Sequence, residues 1–331
     1  MPARRITIYD VAEAAGVSKS LVSLVLRGSP GVSDGARLRV QRAMEELGYR
    51  RNHAASALAA HRTLTVGLLI DDYTNQWFVD FVHGLEPVLA AEGYRLSVVE
   101  AGADRAAAVN GLLSTRPDGV VVAMDVPEDL VAADAPPVVV AGTREHIPDS
   151  VDTVANDDRL GARLATEHLV GLGHTRIGHL AAAGGAGAAR HASFVASMRE
   201  AGLDPLVSAP VPVAATEVMG YASARDMLRA HPGITAIFAA NDSMAVGALG
   251  AAHELGLEVP GRLSVIGYDD TPLARMRLVD LTTIDDKSVA VGEAAGRMLI
   301  ARMEGSDDPQ VHTTVEPTLV VRTTTAHAPE G

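Results

Sequence analysis

The chain has 331 residues, 47% of them apolar, no cysteine and a net charge of −13. That length predicts two or three domains, and the absence of Cys excludes disulfides, thiolate metal sites and Cys nucleophiles. No apolar run reaches about 18 residues and MPARRITIYD lacks a signal-peptide core, so a cytosolic protein off the membrane is expected.

The charge is uneven. Residues 1–62 carry ten Lys or Arg against five Asp or Glu, a net +5, and the rest carries −18. A basic head on an acidic body is the footprint of a DNA-binding domain joined to one that stays off DNA.

Within that head, TIYDVAEAAGVSKSLVSLVLR (7–27) predicts two short helices and a tight turn. Thr7 is placed to cap the first helix, with Asp10 three residues on. Val11, Ala12 and Ala15 share a face, and Gly16 takes the left-handed turn that a Cβ would resist. Val17 plugs the turn and Ser18 caps the second helix, whose Val22, Val25 and Leu26 face back. Small Ala residues allow the close crossing of a helix-turn-helix. Lys19, Ser20, Ser23 and Leu24 then point outward, where a DNA-reading helix carries its contacts. A third helix runs from a cap at Ser33 to about Leu47, with Val40, Met44 and Leu47 inward and Gly48 as its stop. In RNHAASALAAH (51–61), Asn52 can cap a short Ala-rich helix bearing Leu58. So short a helix buries little and is marginal alone, which leaves a plain linker and a helix held by other parts equally open.

From Leu64 the pattern changes. LTVGLLI, YRLSVVEA, DGVVVA, PPVVVAG, TRIGHLAAA, TAIFAAN and RLSVIGYDD read as strands. Between them lie the helices FVDFVHGLEPVLAAEGY, one near 104–115, a short one, RLGARLATEHLVGLGH, those at 190–202 and 220–231, and SMAVGALGAAHELG. This alternation predicts parallel, doubly wound sheets. The span is too long for one such sheet, so two α/β lobes around a cleft are expected, with ligands at the carboxyl ends of the strands.

The motifs TIYDVAEAAGVSKSLVSLVL, VSDGARLRVQRAMEELGYRRN, TVGLLIDDYTNQWF, DDRLGARLATEHLVGLGHTRI, FAANDSMAVGALGAAHELGLEVP, SVIGYDD, LTTI and LVVR, in this order, resemble the lactose-repressor family of bacterial transcription regulators over nearly the whole chain. The resemblance implies an all-α helix-turn-helix head at 1–50, a hinge helix or linker at 51–63, and a periplasmic-binding-protein-like α/β body at 64–331 for effector binding and dimerisation. It implies an N-lobe of about 64–155 and 286–316 and a C-lobe of about 156–285 and 317–331, with crossings near 155, 285 and 317. It also implies a homodimer on a double-stranded DNA operator of inverted half-sites. Lys19, Ser20 and Leu24 match base-reading positions. Thr7, Ser18, Ser23 and Asn52 match phosphate-positioning ones, and Leu58 matches a leucine that wedges into the minor groove. In the body, Asp72, Asn75, Trp77, Phe78, Arg190, Asn241 and Asp269 match effector contacts. Leu24, Arg51, Ser56, Gln76, Gly142-Thr143 and Asp286 depart from the family pattern.

Blander readings stand beside these. Asn241 and Asp242 suit a helix cap, Trp77 a filler between lobes, and Asp270, His174 and His179 structural roles. GGAGAAR lacks the full G-x-G-x-x-G dinucleotide pattern. No nucleophile elbow, Walker loop or metal-ligand spacing stands out, so neither an enzyme, a cofactor nor a metal site is expected. The expected function is a sequence-specific regulator, a repressor, controlled by a small molecule between the lobes. An aromatic face with Asp, Asn and Arg suits a sugar. The alternatives are a purine-type co-repressor and, remotely, a solute-binding protein.

Overall fold

A computed structural model describes residues 8–26, 32–47, 62–102, 104–132, 134–209 and 215–330. The chain divides into two compact units, Met1–Thr63 and Leu64–Gly331.

The first unit holds α1 (Ile8–Ala15), α2 (Lys19–Leu26) and α3 (Asp34–Glu46). Gly16 makes the first turn at φ +62, and Val17 N–H closes it onto the Ala12 carbonyl at 3.0 Å. Ser18 Oγ accepts from Leu21 N–H at 3.2 Å, the expected cap. Val11, Ala12 and Ala15 meet Val22 and Val25 of α2 and Ala36, Val40 and Ala43 of α3 in one buried cluster. Ser33 departs from expectation. It is extended at the α3 N-cap, but its side chain makes no cap bond, and only its carbonyl engages the helix, through Arg37 N–H at 3.0 Å. The expected cap at Thr7, the stop at Gly48 and the whole 51–61 segment with Asn52 and Leu58 lie outside the described residues.

The second unit runs β1 (Thr65–Ile70), α4 (Trp77–Ala91), β2 (Arg95–Glu100), α5 (Arg105–Ser114), β3 (Gly119–Ala123), a 3-10 turn at Glu128–Leu130, β4 (Val138–Ala141) and β5 (Asp152–Asn156). It continues with α6 (Asp158–Gly171), β6 (Ile177–Leu180), α7 (Gly184–Glu200), β7 (Leu206–Val207), α8 (Glu217–Ala230), β8 (Ala236–Ala239), α9 (Asp242–Glu254) and β9 (Ser264–Ile266). It ends with β10 (Thr283–Asp285), α10 (Ser288–Met303), β11 (His312–Val315) and β12 (Thr318–Val320).

The strands form a six-stranded sheet ordered β11-β5-β4-β3-β1-β2, a four-stranded sheet ordered β7-β6-β8-β9, and a β10-β12 pair. Neighbours in the two larger sheets are parallel, and β10-β12 is antiparallel, with Ile284 opposite Leu319. In the N-lobe one sheet face packs under α4 and α10, and the other carries Val109 and Leu112 of α5. Two buried faces explain why β1, β3 and β4 are apolar without alternation. The C-lobe repeats this, with α8 and α9 on one side and α6 and α7 on the other. The chain leaves the N-lobe sheet after β5, returns after β10 into α10, and crosses again between β11 and β12.

One boundary differs from the sequence reading. α7 begins at Gly184, not near 190, so the glycine-rich stretch is the helix's first turn. Gly184 enters at φ +86. A Cβ on Gly185 would stand 2.5 Å from the Arg144 carbonyl carbon, and one on Gly187 2.3 Å from the Ala182 oxygen. These glycines permit close backbone approach instead of forming a loop.

Candidate functional site

The cleft forms where strands of both lobes end. Asp71 follows β1, and Asn75 and Trp77 open α4. Gly142, Thr143 and Arg144 follow β4, and Asn156 ends β5. Ala182 and Ala183 link β6 to α7, whose first turn Gly184–Gly187 and Arg190 also line the cleft, while Asn241 follows β8 and Asp269 follows β9. Together they enclose about 160 Å³. Carboxyl ends of parallel strands are where such folds place ligands.

Arg190 is the centre of the C-lobe wall. Its Nε donates to Asp158 Oδ1 at 2.7 Å and its Nη1 to the Ala240 carbonyl at 2.6 Å. Nη2 stands 3.2 Å from Asp269 Oδ1, and the guanidinium lies 3.6 Å over the Tyr268 ring. Burial opposes its charge, but Asp158 and then Asp269 outweigh that and raise its pKa above the ordinary value. Arg190 is therefore a permanent, rigidly held cation with donors to spare. Asp269 has its carboxyl pKa raised by burial, against the pull of Arg190. Its backbone sits at φ +101, followed by Asp270 at +47, a strained pair of the kind that persists where surroundings over-determine it. Asp269 N–H donates to the Ile284 carbonyl at 2.8 Å. Arg275 and Arg322 hold Asp270 at 3.2 and 2.6 Å, which gives Asp270 a structural role.

Trp77 forms the N-lobe wall. It stacks on Phe81 at 4.8 Å and 17°, meets Phe78 edge-on at 5.3 Å, and donates its indole N–H to Asp286 Oδ2 at 2.7 Å. Asn75 Oδ1 accepts the Trp77 backbone N–H at 3.1 Å. Arg144 reaches back to the Ala141 carbonyl through Nε and Nη2 at 3.0 and 2.7 Å. Burial lowers its pKa, while Asp71, Asp125 and Asp158 work the other way.

Five of the expected effector residues, Asn75, Trp77, Arg190, Asn241 and Asp269, meet in this cleft, and two do not. Asp72 turns away, its Oδ1 accepting Thr74 N–H at 2.7 Å; the cleft carboxylate is Asp71, the first residue beyond the strand. Phe78 is 6% exposed and packs in the N-lobe core behind Trp77. Asn241 is the helix cap that was weighed for it, and it also stands in the cleft lining. It caps α9 through Met244 N–H at 2.8 Å and donates to the Ala215 carbonyl at 2.9 Å. Asp71, Arg144 and Asn156 were missed; their common signal is a polar side chain just at or beyond a strand's carboxyl end.

Asp242 lies behind the cleft. It accepts from Thr271 N–H and Oγ1 at 2.7 and 2.9 Å and from Thr283 Oγ1 at 2.6 Å, and burial pushes its pKa up to about 7. His174 sits among Thr235, Ser264 and the Ala326 carbonyl. His179 stacks on Phe238 at 4.8 Å, and burial holds its pKa down to about 3. Both histidines are structural. Outside the cleft lining, Asp125, Glu145 and His146 bring one possible ligand atom each within 4.8 Å, but Asp125 Oδ1 already accepts the Glu145 N–H at 3.1 Å.

In the head, Ser18, Lys19, Ser20 and Leu24 are exposed. Lys19 Nζ donates to Tyr9 OH at 3.2 Å and lies 4.9 Å from that ring's centre, which props the lysine across α1. Ser23 lies on α2, with its side chain outside the described atoms. Thr7, Asn52 and Leu58 are outside the described residues. Among the described residues no helix is long and apolar enough to cross a membrane.

Known proteins share both units. Residues 7–52 match the family described as bacterial regulatory proteins, lacI family, and residues 166–325 match the periplasmic binding protein-like domain. The chain is 34% identical to the HTH-type transcriptional regulator GalR of Escherichia coli K12 over 332 residues, 96% of this chain and 94% of that one. It is 32% identical to the HTH-type transcriptional repressor PurR of Erwinia tasmaniensis, over 98% of each chain. The crystal structure of the lac repressor dimer bound to operator and the anti-inducer ONPF matches with a TM-score of 0.84 at 28% identity, over 98% of this chain and 100% of that one.

Proposed function

Because the chain belongs to the lacI family of bacterial regulatory proteins and is a DNA-binding transcriptional regulator, we propose that it is a repressor whose hold on DNA is set by a small polyhydroxylated effector, a sugar, bound between the lobes. One observation carries this reading: Asp71, Asn75, Asn156, Asn241, Asp269 and Arg190 converge on a cleft with one aromatic wall, Trp77. Fixed donors and acceptors match hydroxyl groups, and an indole face matches the C–H face of a ring.

In this reading Lys19, Ser20 and Leu24 touch base edges, Ser18, Ser23, Thr7 and Asn52 place phosphates, and Leu58 enters the minor groove. Two copies act on inverted half-sites; the similar lac repressor is a dimer bound to operator. Leu278, 98% exposed on the loop that Arg275 ties to Asp80 of α4, suits a face that meets a second copy. The effector favours one arrangement of the lobes. The body begins at Leu64, whose N–H is held by Asp118 Oδ2 at 2.6 Å, so an N-lobe shift acts directly on the segment that leads to the head.

The test is a gel shift on DNA from the gene's own upstream region, titrated with neutral sugars and with nucleobases, beside calorimetry on the same compounds. A sugar should bind and change DNA affinity by about 5- to 150-fold, the usual range of allosteric coupling. Arg190→Ala should abolish that response and leave ligand-free DNA binding intact. Binding of nucleobases alone would replace the sugar; a DNA affinity indifferent to every compound would end the switch.

A further inference from the structure

Trp77 is the chain's single tryptophan, and its only polar atom is committed to Asp286. Asp286 is fully buried and lies where the chain passes from β10 to α10. Its second oxygen, Oδ1, accepts the Ser288 N–H at 3.1 Å at the start of that helix. One carboxylate therefore ties the N-lobe wall of the cleft to a strand that joins the lobes. It also belongs to the electrostatic neighbourhood of Arg190 on the opposite wall.

We propose that Asp286 is a positioning residue of the effector cleft: it fixes the Trp77 indole as a stacking wall and couples that wall to the charge state of the Arg190 cluster. The functional meaning rests on the cleft being an effector site, but the coupling itself is a property of the ligand-free protein.

Asp286 has two usable states, ionised and protonated. Asp158 and Asp269 pair with one guanidinium, Arg190, at 2.7 and 3.2 Å, that guanidinium lies over the Tyr268 ring, and Asp286 feels its charge. Burial first, then repulsion from Asp158, pushes Asp286 up to about 7 against the pull of Arg190. The ionised carboxylate accepts a charge-assisted bond from the indole; the protonated one holds it more weakly. A ligand group that engages Arg190 changes the same balance, and so changes how firmly Trp77 stands. The other charges near this contact are Asp80 and His83 on α4, with His83 Nδ1 3.6 Å from Asp80 Oδ1, Arg275 against Asp80, and the neighbouring Asp285–Lys287 pair. Of these His83 is the only imidazole, and it is exposed, so it serves as the control.

A lone tryptophan makes the test direct. The indole N–H resonance and the emission of the ligand-free, full-length protein are followed from pH 5.5 to 8.5 in wild type, Asp286→Asn and His83→Gln. The wild type should show one transition centred near pH 7 in both signals. Asp286→Asn, which keeps an acceptor but no charge, should flatten it, and His83→Gln should leave it in place. Asp286→Ala should at least double acrylamide quenching at every pH by freeing the ring. A flat wild-type profile, or a transition that survives Asp286→Asn or vanishes in His83→Gln, overturns the proposal. The wild-type resonance decides even if a variant fails to fold. No effector enters the experiment, so failure here leaves the effector reading to be judged by its own titration.

Discussion

Asp242 shows how much a single side chain can hold at this site. Its two oxygens accept three hydrogen bonds, two from Thr271 and one from Thr283, and it is fully buried. It thereby joins the start of α9 to the loop after β9 and to β10. Hydrogen bonds to the charged form pull its pKa down, yet burial wins, so the charge is retained near neutrality only at a cost. Asp242→Asn replaces one acceptor by an NH₂ donor, which avoids the Thr271 N–H only by facing Thr283 and obliging that hydroxyl to turn from donor to acceptor. Exchanging charge-assisted bonds for neutral ones in this way costs about 1 kcal/mol. Urea denaturation should show a lower midpoint with an unchanged slope. An unchanged midpoint would mean that the three contacts contribute nothing net.

At the scale of elements, the N-lobe is organised by α4 and α10, which touch backbone to backbone. A Cβ on Gly84 would stand 2.0 Å from the Val289 carbonyl oxygen, and one on Gly292 2.1 Å from that of Phe81. Gly→Ala in a helix interior ordinarily stabilises by about 1 kcal/mol. Here it must push two helices apart, and overpacking costs about 1–3 kcal/mol, more when the obstacle is backbone. Gly84→Ala and Gly292→Ala should therefore lower the melting temperature, while Gly111→Ala on α5, exposed with nothing within 4 Å of its added Cβ, should raise it slightly. Three changes of the same sign would refute the packing argument. This contact was not legible in the sequence, because glycine in a helical pattern reads only as weak propensity. What was legible were elements with a strong period or a continuous apolar run, such as β1, β3, β4 and α4. β5 was missed because Asp152 and Asn156 are buried in it as polar residues. β10, β11 and β12, only three or four residues long, have no period to read. Asp72 came from the spacing of the family motif, but which residue faces the cleft depends on where β1 ends, and that boundary is the least visible feature of a strand.

The whole body carries its site as an electrostatic load against apolar cores on both faces of each sheet, and this sets its response to pH. Asp242 and Asp286 are pushed up to about 7, and Asp269 is raised as well, in each case chiefly by burial. A carboxyl whose pKa is higher folded than unfolded favours the folded state while protonated. That contribution is complete below the unfolded value near 3.8 and is lost as pH rises through about 7. His179 acts in the opposite sense: held down to about 3 by burial, it loses stability as pH falls below its ordinary 6.5. Asp152, held below its ordinary value chiefly by its hydrogen bonds with Arg302, loses its contribution only in stronger acid, below 3.8. Between pH 4 and 6.5 the acids and the histidine oppose each other. Between 6.5 and 8 the histidines held down by burial, His168 and His174 among them, give up only the last half-proton of their unfolded state, while the buried acids still lose theirs in the folded state. Thermal unfolding at constant ionic strength should therefore show a melting temperature that falls from pH 6.5 to 8, and Asp286→Asn should remove part of that fall without reversing it. A melting temperature that rises over this interval, or a fall identical in the variant, would mean that these carboxyls are already ionised at neutral pH and that the cleft holds its charges by hydration the packing does not reveal.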